Sequence, residues 1–216
     1  MRRTTPEAPG PRWGSGVRRR APRLAVVAVL AAVGCGGTAE PPAPGASQGL
    51  PPDLRGRRVM VLPVQDRGGV PGTVDPELLF QLRDRAPGVE WIPHEEIEER
   101  LERSPGLQAE VRGLPVGLFR SAEVRRIGDP LYGQLRRMAA LVDAPVALLP
   151  VAVALRPAGS PGEVVARFQA ALVDVRTGRV LWFGMEEGRA GPARDAAVLA
   201  SAVDALARSL LRRSGR

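Results

Sequence analysis

The sequence contains one histidine and one cysteine, and these two side chains limit the chemistry open to it. His94 is followed by Glu95 and Glu96. An imidazole beside two carboxylates is the raw material of a zinc site or an acid–base pair. A zinc-binding helix, however, needs a second histidine four residues on, so that both rings face one metal. Position 98 is Glu98, so the run is expected to be a solvated helix start whose acids favour the positive end of the helix dipole. Ser160, in Gly159-Ser160-Pro161-Gly162, lacks the second half of a nucleophile elbow and has no histidine base of its own, and is read as loop. There is no lysine: all 31 cationic side chains are arginine. That excludes a Walker A loop and lysine-based covalent chemistry. Glu95, Glu96, Asp143 and Asp174 remain as carboxylates that a fold could pair. Asp174, just before Thr177 and Gly178, is expected to brace a turn through side-chain-to-backbone bonds. No catalytic residue, metal site or cofactor is expected.

Cys35 is the only thiol, so an internal disulfide is impossible. Its surroundings suggest another use. Arg18, Arg19, Arg20 and Arg23 precede the apolar run Leu24–Val33, and Ala32-Val33-Gly34 leads into the cysteine. The run is about half of the roughly 20 residues that a spanning helix needs, so it is an export h-region and not a membrane span. Ala32-Val33-Gly34-Cys35 resembles the lipobox read by lipoprotein signal peptidase, with Ala32 where that motif usually has leucine. The resemblance implies cleavage between Gly34 and Cys35 and lipid on the new amino-terminal cysteine. Two or three acyl chains anchor stably where one binds only marginally. Gly36 follows, with no aspartate to imply inner-membrane retention, so the outer membrane facing the periplasm is expected. Residues 1–16 add only Pro- and Gly-rich sequence, and a translation start at Val17 in place of Met1 would leave a compact leader.

The net charge of +8 suggests a nucleic-acid partner until the charges are placed. Seven of the 31 arginines and one of the 23 acids lie in residues 1–34, leaving 24 against 22 after cleavage. A mature chain near +2 has no overall footprint for nucleic acid. Residues 36–56, rich in Gly, Pro and Ala, are expected to be a tether, with a reach of roughly 60 Å at about 3.1 Å per residue.

Beyond residue 57 the pattern becomes periodic. Val59–Leu62 with Val64 reads as a buried strand. Asp75-Pro76 opens a helix as cap and first turn, carrying Leu78, Leu79 and Leu82 and stopped by Pro87-Gly88. Val89–Ile92 is a second strand. Glu95–Arg103 is a helix with Ile97 and Leu101 inward and i,i+4 pairs Glu96–Arg100 and Glu99–Arg103. Residues 107–128 predict a loop with a short helix near Ala122–Ile127. Asp129-Pro130 repeats the capping device ahead of Leu131, Leu135, Met138 and Val142. Ala147–Leu155 is a third strand, in which Pro150 calls for a bulge or an edge. Val164–Val175 and Arg179–Gly188 form a hairpin over a three-residue loop, with Gly178 at positive φ. Asp195–Arg212 closes the chain as a helix with Leu199, Val203, Leu206 and Leu210 inward.

The expectation is one α/β domain, residues 57–216, with a mixed five-stranded sheet packed with helices. Three stretches carry a resemblance: Arg57–Asp66, the helix running into Val142–Val153, and the hairpin around Leu172-Val173-Asp174, Thr177-Gly178 and Val180-Leu181. Together they resemble the fold shared by the TolB amino-terminal domain, CsgG and LpoB. The family often has Gly-Ala-Asp where this chain has Asp143-Ala144-Pro145. The resemblance implies a non-enzymatic periplasmic module that docks onto partners, without naming one; an adaptor, assembly or regulatory role on an envelope protein is the expectation. The near-neutral, periodic sequence with capped helices is expected to fold as a monomer or small homo-oligomer. The competing class is an envelope hydrolase or ligand-binding lipoprotein, which needs a pocket of convergent polar groups. Trp182, Phe183 and Met185 are the candidate interface, with Trp182 on the opposite strand face from the other two.

Overall fold

The computed structural model describes residues 47–70, 73–120 and 124–212. The leader, Gly34, Cys35 and the tether as far as residue 46 lie outside the described residues, as does part of the helix expected at Ala122–Ile127.

Seven strands and four α-helices follow in order. β1 is Ser47–Gln48, β2 Arg58–Val61, α1 Val74–Arg85, β3 Glu90–Pro93 and α2 His94–Glu102. After a 3-10 turn at Val116–Arg120 come α3 Leu131–Val142, β4 Val146–Pro157, β5 Glu163–Asp174, β6 Arg179–Glu187, β7 Gly191–Pro192 and α4 Ala196–Leu211. The sheet runs β1-β6-β5-β4-β2-β3, and β7 extends the β6 side of β5. β2 is parallel to both β3 and β4, and the other pairings are antiparallel, so the sheet is mixed. The five expected strands are all present. The count of five was too low, because β1 and β7 are two-residue strands whose only signal is the partner they meet.

Side-chain alternation sends each long strand's apolar residues to both faces, and helices cover both. On one face Val59, Val61, Leu148, Leu172 and Trp182 pack against α1 and α4 through Leu78, Leu82, Val203 and Leu206. On the other, Met60, Ala147, Leu149, Val173 and Phe183 meet α2, the 3-10 turn and α3 through Ile97, Phe119, Leu135 and Met138. The rings of Phe119 and Phe183 stack at 5.8 Å with 8° between their planes. The result is three layers around a doubly buried sheet. Among the described residues, no helix is long and apolar enough to cross a membrane.

Several local expectations change. Residues 47–56 are not tether. Ser47 and Gln48 pair with Gly184 and Phe183, Leu54 is buried, and the Gly56 N–H donates to the Gly88 carbonyl. The domain therefore extends at least ten residues before position 57. In place of a helix, Arg125–Ile127 is extended along the outer edge of β6. The Ile127 N–H donates to the Gly178 carbonyl, and the Val180 N–H to the Arg125 carbonyl. Backbone groups that find a strand edge do not need a helix. Pro150 sits at a bulge, between Pro150 and Ala152, in a central strand and not at an edge. The β5–β6 turn spans Val175–Gly178, one residue longer than expected, with Gly178 at φ +72°.

Asp75 does not cap α1. Thr73 occupies that position without a side-chain bond. Asp75 is buried: its carboxylate accepts the Val64 N–H at 2.8 Å and pairs with Arg67. Asp195 is the true cap of α4, accepting the Ala197 N–H at 2.8 Å.

Candidate functional site

The groups with chemical potential do not meet. His94 begins α2 just beyond the end of β3, and it is buried, 7% exposed, where a solvated helix start was expected. Its polar neighbour is Glu95, with Nε2 and Oε1 3.4 Å apart. Glu96 is held by Arg100 at 2.6 Å, the expected i,i+4 pair, and Glu99 by Arg103 at 3.2 Å. Asp143 and Asp174 lie at the other end of the sheet, where β4 begins and β5 ends. Asp143 ends α3 in the left-handed conformation and faces Arg58 at 3.3 Å. Asp174 accepts the Arg176 N–H at 2.9 Å, the turn-bracing role its neighbours implied. Ser160 sits in the loop joining β4 to β5, exposed, with its carbonyl accepting the Glu163 N–H. Among the described residues, no three His, Cys, Asp or Glu side chains are grouped to hold a metal.

One open cavity of about 620 Å³ lies where α1 and α4 end. Pro51, Leu54, Ala86, Val89, Leu210 and Arg85 line it, and none of the groups above reaches it. Arg85 is already paired with Asp204.

The proposed interface of Trp182, Phe183 and Met185 is corrected. These residues are 0%, 4% and 1% exposed. Alternation separates Trp182 from Phe183 as expected, one into each core, but both faces of β6 are covered. They are core, not a docking patch.

A different surface stands out that sequence reasoning missed. Arg125, Arg126, Arg136, Arg176 and Arg179 are all exposed and gather at the β5–β6 turn. Arg126 lies directly across from Arg179 in an antiparallel bridge and donates from Nε to the Thr177 carbonyl at 2.9 Å. The Tyr132 hydroxyl donates to the Arg176 carbonyl at 2.8 Å, and the Arg136 guanidinium stands 5.6 Å over the Tyr132 ring. Three separate segments supply these arginines, so no single window of sequence is basic enough to reveal them. The available signal was Arg176 and Arg179 flanking a recognisable turn.

No protein-family model matches the sequence, and no curated protein matches it. Several solved structures are similar. The PelC dodecamer from Paraburkholderia phytofirmans aligns at 18% identity over 79% of this chain and 97% of that one, with a TM-score of 0.47. The lipoprotein GNA1162 from Neisseria meningitidis aligns at 17% identity over 69% and 94%, with a TM-score of 0.42. The LpoB C-terminal domain from Salmonella enterica aligns at 15% identity over 65% and 87%, with a TM-score of 0.41. The structural neighbours thus include LpoB, one of the three proteins whose fold the sequence resembles.

Proposed function

We propose that this chain is the precursor of a bacterial lipoprotein, cleaved between Gly34 and Cys35 and held by lipid on Cys35. Residues 47–212 then serve as a non-enzymatic adaptor or regulatory module of the cell envelope, on a membrane face outside the cytoplasm. The observation that carries the reading is Leu24–Val33 running into Ala32-Val33-Gly34-Cys35, with the chain's only cysteine at the cleavage point. Ser47, the first described residue, follows Cys35 by twelve positions, so one anchor would tether one domain to a bilayer. The adaptor half rests on separation. Glu95 and Glu96 stand at one end of the sheet and Asp143 and Asp174 at the other, whereas general acid–base chemistry needs groups within hydrogen-bond reach of one substrate.

Palmitate labelling in cells tests the anchor. The native chain should take up label, and Cys35→Ala should remain uncleaved and unlabelled. Equal labelling of the two ends the lipoprotein reading. Alanine at Glu95, Glu96, Asp143 and Asp174 tests the adaptor half. Loss of the cellular role with a folded protein and its captured partners retained would make the domain an enzyme instead.

A further inference from the structure

The positive charge of the arginine cluster at the β5–β6 turn is not neutralised among the described residues, although Arg126 bonds the Thr177 carbonyl and Arg136 covers the Tyr132 ring. Arg125, Arg126, Arg136, Arg176 and Arg179 form no ion pair among the described residues, whereas nine other arginines of the domain do. Among the described residues, the two carboxylates nearby are turned elsewhere. Asp129 accepts the Gly133 N–H at 2.9 Å, and Asp174 accepts the Arg176 N–H. Like charges directly opposite across a strand pair repel, and Arg126 faces Arg179 in this way. An anion between them removes that cost. Guanidinium is the cation whose planar fork matches phosphate in a bidentate pair.

We propose that this cluster docks the domain onto an anionic phospholipid surface, guanidinium to phosphate, with the β5–β6 turn facing the bilayer. All five groups are exposed and come from three segments, with Arg125 and Arg126 alternating to opposite faces of the extended segment, so the charges spread around the turn and do not enclose one ion. The first described residues lie beside them: Gln48 and Gly49 share a cleft with Arg125 and Val180. Cys35 is twelve residues before Ser47, within roughly 40 Å even when fully extended. A membrane carrying that anchor is therefore the nearest large anionic surface. This placement rests on the lipid-anchor reading, but the charge argument does not.

The test uses the unlipidated chain from Gly36 to Arg216, which contains every described element, and co-sedimentation with vesicles. Vesicles of mixed phosphatidylglycerol and phosphatidylcholine should bind it, and pure phosphatidylcholine should not. Binding should weaken as salt shortens the screening length from about 10 Å toward a few Å. Each basic residue near an anionic surface contributes about fivefold in affinity, so the triple variant Arg125→Gln, Arg176→Gln, Arg179→Gln should bind about a hundredfold more weakly. None of these three side chains makes a hydrogen bond within the described residues, so circular dichroism should show the native fold. Arg103→Gln with Arg112→Gln, which removes paired charge elsewhere, should leave binding nearly unchanged. Absent binding to the mixed vesicles, native-like binding by the triple variant, or equal loss in the control would overturn the proposal. Equal retention on duplex DNA at matched phosphate concentration would overturn its assignment to lipid. A failed palmitate label on Cys35 would leave the vesicle result standing, so the two readings fail separately.

Discussion

Substitutions at Asp75 distinguish a surface helix cap from a buried clasp. In the structure its carboxylate accepts the Val64 N–H at 2.8 Å and pairs with Arg67, and it is 8% exposed. Asp75→Ala leaves that buried N–H without a partner, a loss of about 1–3 kcal/mol. Arg67 also loses its partner, but its side chain is 33% exposed and can turn to water, which adds no more than about 1 kcal/mol. The expected cost of Asp75→Ala is therefore about 1–4 kcal/mol. Asp75→Asn keeps an acceptor for Val64 and loses the charge facing Arg67, so about 1 kcal/mol is expected. A cap would behave otherwise: alanine costs about 1 kcal/mol, asparagine almost nothing, and Arg67→Ala has no effect. Urea unfolding of the Gly36–Arg216 chain, followed by the fluorescence of buried Trp91 and Trp182, measures all three variants. With a slope of about 2 kcal/mol per molar urea, Asp75→Ala should lower the midpoint by about 0.5–2 M. If Asp75→Asn and Arg67→Ala match the native midpoint while Asp75→Ala falls by less than half a molar, the clasp is refuted.

Two further outcomes follow from the packing. A chain starting at Ser47 should unfold at the native midpoint. One starting at Arg57 should lose at least the burial of Leu54, about 1.5–3 kcal/mol, and equal midpoints would return residues 47–56 to the tether. A Cβ on Gly184 would lie 2.2 Å from Cζ2 of Trp182, so Gly184→Ala should cost about 3 kcal/mol by overpacking. Adding Trp182→Phe should recover part of that loss, and an unperturbed Gly184→Ala would show that the indole lies elsewhere.

The long elements were legible because each repeats its own period. β4, β5 and β6 read as apolar runs, and α3 and α4 as stripes at helical spacing, within a few residues of their observed bounds. What sequence could not supply was the partner. Ser47-Gln48 has no strand pattern and becomes a strand only beside Gly184 and Phe183. Arg125–Ile127 looked helical until the β6 edge offered its backbone hydrogen bonds. Asp75 followed by Pro76 is a sound local cap signal, overridden by a longer-range contact with Val64. The same blindness affected the candidate site. Alternation on β6 correctly split Trp182 from Phe183, but whether either face was open depended on helices far away in sequence. The arginine cluster escaped notice because 125–126, 136 and 176–179 become neighbours only when the turn folds against α3.

The two-residue strand β1 also sets how the domain responds to force. If the chain is held by lipid on Cys35, as proposed, a pull from that side loads Ser47 and Gln48 first among the described elements, where they are clipped to the β6 edge. Peeling works against one short ladder at a time, so this clip yields before the long β4–β5–β6 meander, where the pairings of Val146–Pro157 with Val164–Asp174 share the strain. Releasing residues 47–56 would add roughly 30 Å of extended chain. On that reading the segment is a mechanical fuse: under tension the leash lengthens at the expense of β1 and of Leu54's place in the core, while the five longer strands stay paired.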